Sequence, residues 1–359
     1  MIDSISVLHG KKALSSLKEI EVFHFTLQQS SLLQLFSDDL AALGGPQVMG
    51  VNSKASIAAA KLRLSLSKGQ RKLLDAYSDG CVSLLIFEGM QKVTDMAPPD
   101  ELPGLATLEQ SRDVLRLASR NQILLKLVGN DAFAYDIDNE GRLVRLVANF
   151  KGGGHNKINA EPQVTELSSH SGLALGAHTE APYWCAMQAK DGHSPSPASL
   201  ILSALWNPCM EPTSVIPLTP LLDEIGVVHC LALTTGSFKF TRSDSFVSGK
   251  GEDGCNVSIL EFDQKVGFAA RFNSYRFSVD ERASLYVKNA YEALCRSVAS
   301  ATPFKHVLTQ ESAIVINNVR ALHCRDTVRD NRRVLVRIFG MSKFTLPLMV
   351  SEDPLVLRG

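Results

Sequence analysis

The chain has 359 residues, 45% of them hydrophobic, with 37 Lys+Arg against 37 Asp+Glu. That length supports a sizeable core in one large domain or two modest ones, and the composition is that of a folded globular protein. A formal net charge of zero argues against general affinity for nucleic acid or an acidic membrane. Met1 to Lys12 lacks an apolar run after a basic start, and no stretch of about 18 apolar residues occurs. The seven cysteines are widely spread and contain no C-x-x-C pair. A cytoplasmic protein with reduced thiols is the expectation.

Residues 11–43 and 54–78 carry apolar residues at helical spacing (Leu32, Leu33, Leu35, Phe36, Leu40, Leu43), broken at Gly44-Gly45-Pro46. They predict a helical N-terminal layer over 1–78. From Gly80 the texture changes, and Cys81 to Phe87 reads as a buried strand. A helix is expected over Leu108–Ser119, then hairpin-like strands flanking Asp138-Asn139-Glu140-Gly141. Beyond residue 150 short β-rich runs dominate, at 173–178, 199–206, 213–217, 255–262, 268–272, 312–317 and 333–340. One amphipathic helix, Glu281 to Ser300, interrupts them. The pattern is mainly β with flanking helices (α+β), with a sandwich, jelly-roll or barrel core spanning 79–359 in one structural domain.

Gly249-Lys250-Gly251-Glu252-Asp253-Gly254 matches G-x-G-x-x-G literally, but a strand pattern follows it and two acids sit inside it. It reads as a hairpin or lid turn, not a nucleotide loop. Ser-Pro-Ser-Pro at 194–197 reads as a rigid loop, and Gly152-Gly153-Gly154 as a connector or hinge. His170 and His193 read as loop histidines, and Trp184 as core.

His178-Thr179-Glu180 puts a histidine and a carboxylate at i and i+2, on one face of a strand. Roughly one such H-x-[DE] match is expected by chance in a chain of this composition. Far downstream, the apolar run Ile314 to Asn317 leads through a turn to His323. Two histidines and one carboxylate form the facial triad suited to non-haem Fe(II) and oxygen. A strand carrying Arg333 and Arg337 on one face follows. From Arg320 to Arg337 there are six arginines and two aspartates, a local excess hidden by the zero sum.

On His178-Thr179-Glu180, the Asn317-Asn318-Val319-Arg320-Ala321-Leu322-His323 block, the downstream arginine and the run at 79–89, the chain resembles the Fe(II)/2-oxoglutarate-dependent oxygenases. Glu in the first motif points to the clavaminate synthase-like branch of the taurine dioxygenase superfamily. The likeness spans roughly residues 79–345. The resemblance implies a double-stranded β-helix (jelly-roll) core and iron held by His178, Glu180 and His323. It implies that 2-oxoglutarate fills two iron positions, that O2 takes a third, and that Arg337 anchors the distal carboxylate. Arg333 is the alternative anchor, and Thr213 is the best match to the threonine that the family places near that carboxylate. The family usually carries Asp where Asn318 stands and Gly where Cys324 stands; neither is a ligand. Gln163, Ser168 and Ser169 are candidate substrate contacts, which ordinary loop polarity explains equally well. The implied reaction is hydroxylation of an unactivated C–H in a free or carrier-bound amino acid or derived metabolite, releasing succinate and CO2. Desaturation or cyclisation by the same oxidant, or a non-catalytic jelly-roll binding protein, are the rival readings. Oligomeric state leaves no trace in the sequence.

Overall fold

A computed structural model describes residues 18–150, 169–264 and 267–359. The N-terminal part runs β1 (Ile20–His24), α1 (Leu27–Ala42), α2 (Val51–Leu64), α3 (Lys68–Ser78) and β2 (Leu84–Glu88). Capping boxes start two of these helices: Thr26 with Gln29 at α1, and Ser67 with Gln70 at α3. β1 lies where helix was expected. Its Ile20, Val22 and Phe23 pair in parallel with Leu84, Ile86 and Phe87 of β2, so the sheet captures a β-branched stretch embedded in helical texture.

Next come α4 (Leu105–Glu109), α5 (Arg112–Leu127), β3 (Asn130–Tyr135), β4 (Arg145–Val147), β5 (Leu175–His178), β6 (Ser199–Trp206) and β7 (Pro212–Pro217). The strands flanking 138–141 are not a hairpin. β3 and β4 both pair with a later strand and not with each other, because Asn139, Glu140 and Gly141 all take positive φ and step the chain from one to the next.

The remainder is α6 (Leu218–Leu233), β8 (Phe238–Phe240), β9 (Gly254–Val257), β10 (Leu260–Asp263), β11 (Gly267–Ala270), β12 (Phe277–Val279) and α7 (Leu285–Ser300). It ends with β13 (Phe304–Val307), β14 (Ala313–Asn317), β15 (Ala321–Arg325), β16 (Val334–Ser342), β17 (Met349–Glu352) and β18 (Leu355–Leu357). α6 was not expected. Pro220 sits in its first turn, where no amide donor is needed. Gly226, at φ 81°, is absorbed as a kink.

The result is a sheet-rich mixed fold with seven α-helices among the described residues. One nine-stranded sheet has the order β1-β2-β14-β6-β16-β3-β18-β17, with β4 also on β16; a four-stranded sheet has the order β13-β7-β15-β5. Strand alternation on the large sheet feeds two cores. Leu200, Leu202, Leu335 and Phe339 join Val215 and Leu322 of the small sheet in one core. Ile201, Val336 and Ile338 pack with Leu33, Leu62 and Leu124 of the helices in the other. No helix of the described residues is long and apolar enough to cross a membrane.

Candidate active site

β15 pairs with β5, and the register sets His323 directly opposite His178. Their rings lie 4.2 Å apart between centroids. His323 is therefore on a strand and not at the end of a turn. Glu180 follows on the same side as His178, because the intervening Thr179 is tied away by its amide to the Phe272 carbonyl at 2.7 Å and by its hydroxyl, which accepts from the Phe272 amide at 3.0 Å. Beyond Glu180, Asn318 acts as a clamp. Its Oδ1 accepts the Glu180 amide at 2.8 Å and its Nδ2 donates to the Pro197 carbonyl at 2.9 Å.

One ligand atom each from His178, Glu180 and His323 lies within 4.8 Å of the other two. The donor set fits a divalent first-row metal. His178 Nδ1 lies 2.7 Å from the Gly176 carbonyl, which fixes the proton there and leaves Nε2 as a lone-pair donor. Burial, reinforced by the neighbouring His323, pushes the His178 imidazole down to about 3, so it is neutral. Burial alone would raise Glu180, but the Arg337 guanidinium and the two histidines hold its carboxyl well below the usual range. The site thus offers two imidazoles and one carboxylate, one histidine being held neutral and the carboxylate ionised.

A cavity between the two sheets opens onto this triad and is lined by Thr213, Arg333 and Arg337 among others. The two arginines differ in state. Arg337 is engaged: Nη1 donates to Glu180 Oε1 at 2.7 Å, Nη2 lies 3.5 Å from Asp138 Oδ2, and the guanidinium stacks over Phe339 at 4.2 Å. Arg333 is 3% exposed, and its guanidinium has no hydrogen bond or ion pair among the described residues. Burial pushes it down to about 10, with Glu211 opposing. Thr213 Oγ1 is likewise buried, with no partner among the described residues. An unpaired buried cation and an orphaned hydroxyl in one cavity are costly unless an anion completes them.

Ser169 also lines the cavity, where its hydroxyl accepts from Arg145 Nε at 2.5 Å. Gln163, Ser168 and Gly152–Gly154 lie outside the described residues. Trp184 stacks on His193 at 4.3 Å and packs against the core. Ser194 and Ser196 are buried and tied to backbone carbonyls, which stiffens that loop. The 249–254 glycines turn the chain into β9. Sequence reasoning missed Asp138, Arg145 and Arg276. Asp138 was absorbed into a turn pattern, and nothing local distinguishes the two arginines from surface charge.

The fold is similar to that of solved non-haem iron oxygenases. Non-heme iron oxygenase OrfP in complex with Fe, succinate and (3S)-hydroxy-L-Arg superposes with a TM-score of 0.68 at 19% identity, covering 94% of this chain and 99% of that one. The OrfP complex with Fe and alpha-ketoglutaric acid gives 0.67 at 18%, covering 90% and 94%. Asparagine oxygenase in complex with Fe(II), 2S,3S-3-hydroxyasparagine and succinate gives 0.69 at 17%, covering 94% and 99%. No family model and no curated sequence relative matches the chain. At these identities the likeness is one of fold.

Proposed function

We propose that the chain is an Fe(II)- and 2-oxoglutarate-dependent oxygenase hydroxylating an unactivated C–H of an amino acid or a closely derived small molecule. Its core is read as a double-stranded β-helix over 79–359 backed by the helical layer of 1–78, the two forming one structural domain. The observation that carries this reading is the convergence of His178, Glu180 and His323 on a cavity that also holds an unpaired Arg333 and an orphaned Thr213 hydroxyl.

His178, Glu180 and His323 would hold the iron where they line the cavity. When bound, iron and 2-oxoglutarate supply oxidative decarboxylation, with release of succinate and CO2 and transfer of oxygen from O2 to a substrate carbon. Arg333 with Thr213 receives the distal carboxylate in this reading, in place of the expected Arg337. A free planar fork in a water-poor cavity matches a carboxylate, whereas Arg337 is already bound to two carboxylates. Arg337 instead orients Glu180 by taking its Oε1, a role typical of groups behind a metal ligand. The buried apolar walls, Leu200, Leu202 and Leu335, exclude water and limit the substrate's orientations.

The test is spectroscopic. Under argon, protein with Fe(II) and 2-oxoglutarate is expected to develop a visible charge-transfer band that neither ligand gives alone, and His178→Ala is expected to abolish it. Absence of the band in the unsubstituted protein favours a non-catalytic binding protein. A product lighter by two hydrogens, in place of one carrying added oxygen, assigns desaturation or ring closure.

A further inference from the structure

The cavity has a second end. Arg145 of β4 stands opposite Arg337 of β16, four residues and about 13 Å along that strand from Arg333. Ser169 is bonded to Arg145, and the Asp138–Phe246 bridge brings the 243–246 turn, with Ser243 and Ser245 and the Asp244 partner of Arg276, to the same end. Ser169, Ser243, Ser245 and Arg276 line the cavity with Tyr275. Arg145 is buried; its Nη1 donates to Asp138 Oδ1 at 2.6 Å and its Nε to Ser169, and its Nη2 has no hydrogen-bond partner among the described residues. Arg276 is fixed from behind by Asp244 at 3.1 Å and by the Arg242 carbonyl.

Charge around this space is one-sided. Among the described residues lining the cavity, five arginines (145, 276, 325, 333 and 337) face a single carboxylate, Glu180. Arg145 and Arg337 share Asp138 between them, and the second partner of Arg337 is Glu180. Once a metal draws on the Glu180 charge, those two guanidiniums have one full carboxylate between them. The partner of Arg276, Asp244, has a side chain 45% exposed, so water screens it. Divalent iron and dianionic 2-oxoglutarate cancel, leaving the excess positive charge facing the substrate space. A guanidinium or ammonium side chain placed there meets like charges in a poorly screened cavity.

We infer that the substrate is net anionic, an amino-acid-type molecule with a second carboxylate that Arg145 and Arg276 receive, with the Ser243 and Ser245 hydroxyls beside it. This rests on the oxygenase reading for the position of the metal, and it separates the chain from OrfP, whose structures hold L-Arg.

The experiment is anaerobic calorimetry on the full chain with Fe(II) and 2-oxoglutarate, using L-aspartate, L-glutamate, L-asparagine and L-arginine as probes. One of the two acidic amino acids is expected to bind at least ten-fold more tightly than L-arginine and to shift the visible band. Arg276→Gln is expected to weaken that binding at least ten-fold while leaving 2-oxoglutarate affinity within two-fold. Arg276→Glu is expected to bring L-arginine to parity or better. L-arginine binding as tightly as both acids, or no binding by any of the four, overturns the inference. If the band never forms, the oxygenase reading fails by itself. The acid-over-arginine preference, titrated into metal-free protein, then still decides the charge of the second end.

Discussion

At the residue scale the two arginines of β16 are proposed to divide the labour. Truncating Arg333 removes the only unpaired buried cation near Thr213 among the described residues, a charge-assisted bond of about 1.5–3 kcal/mol, so Arg333→Ala is expected to raise the KM for 2-oxoglutarate roughly 10- to 150-fold. Arg337→Ala is expected to spare that KM and instead to weaken Fe(II) binding by about 10- to 100-fold, the usual effect of removing a partner of a metal ligand. Equal effects of the two substitutions on 2-oxoglutarate would sink the assignment. Asn318 has a structural task at a position where the oxygenases that the sequence resembles usually carry Asp. It accepts from the Glu180 amide and donates to the Pro197 carbonyl, and an ionised aspartate can only accept. Asn318→Asp is thus expected to destabilise the fold by about 1–3 kcal/mol in a urea titration, because it sets a buried charge against a carbonyl oxygen.

Elements explain what the residues alone leave open. β5 approaches the 273–276 turn closely because Gly176 has no side chain. A Cβ there would run into Ser274 Oγ and lie 3.0 Å from the Tyr275 ring. Since the Gly176 carbonyl also fixes the His178 tautomer, Gly176→Ala is expected to cost about 1–3 kcal/mol by overpacking and to reduce metal uptake in the same protein. Metal uptake equal to that of the unsubstituted chain would remove β5 from the argument. The strands that shape the cavity were legible. β6 reads as a mostly apolar run over 199–206 and β16 over 333–340, broken by Ser203 in the first and by Arg333 and Arg337 in the second, because both faces of the large sheet are buried and near-continuous apolarity is the signature of that environment. α6 was illegible for the complementary reason: an apolar helix with an internal glycine shows little amphipathic contrast. The triad could be read because strand geometry turns H-x-E into a shared face. The Asp138–Arg145–Arg337 cluster could not, since it exists only through pairing of β4 with β16.

For the whole molecule, the two histidines of the proposed metal site lie 145 residues apart, both on strands of the small sheet, and the candidate anchor comes from the large one. A ligand bridging both sheets stabilises the folded state by mass action. Fe(II) with 2-oxoglutarate at a hundred times Kd is expected to add about 2.7 kcal/mol per site, measured by thermal denaturation under argon. Chelation with EDTA should remove the increment, and His178→Ala should never show it.

The alternation along β16 has a mechanical consequence. Arg337 points into the cavity while its neighbours Val336 and Ile338 point into the helical layer, where Asn121 of α5 donates to the Val336 carbonyl at 3.2 Å. The helices therefore act as a backing plate: a void opened on their side lets β16 recede, and the guanidinium holding Glu180 recedes with it. Tuning of the proposed iron site is in this way distributed to residues outside the cavity, and changes in α5 are expected to retune it without touching any of its three candidate ligands.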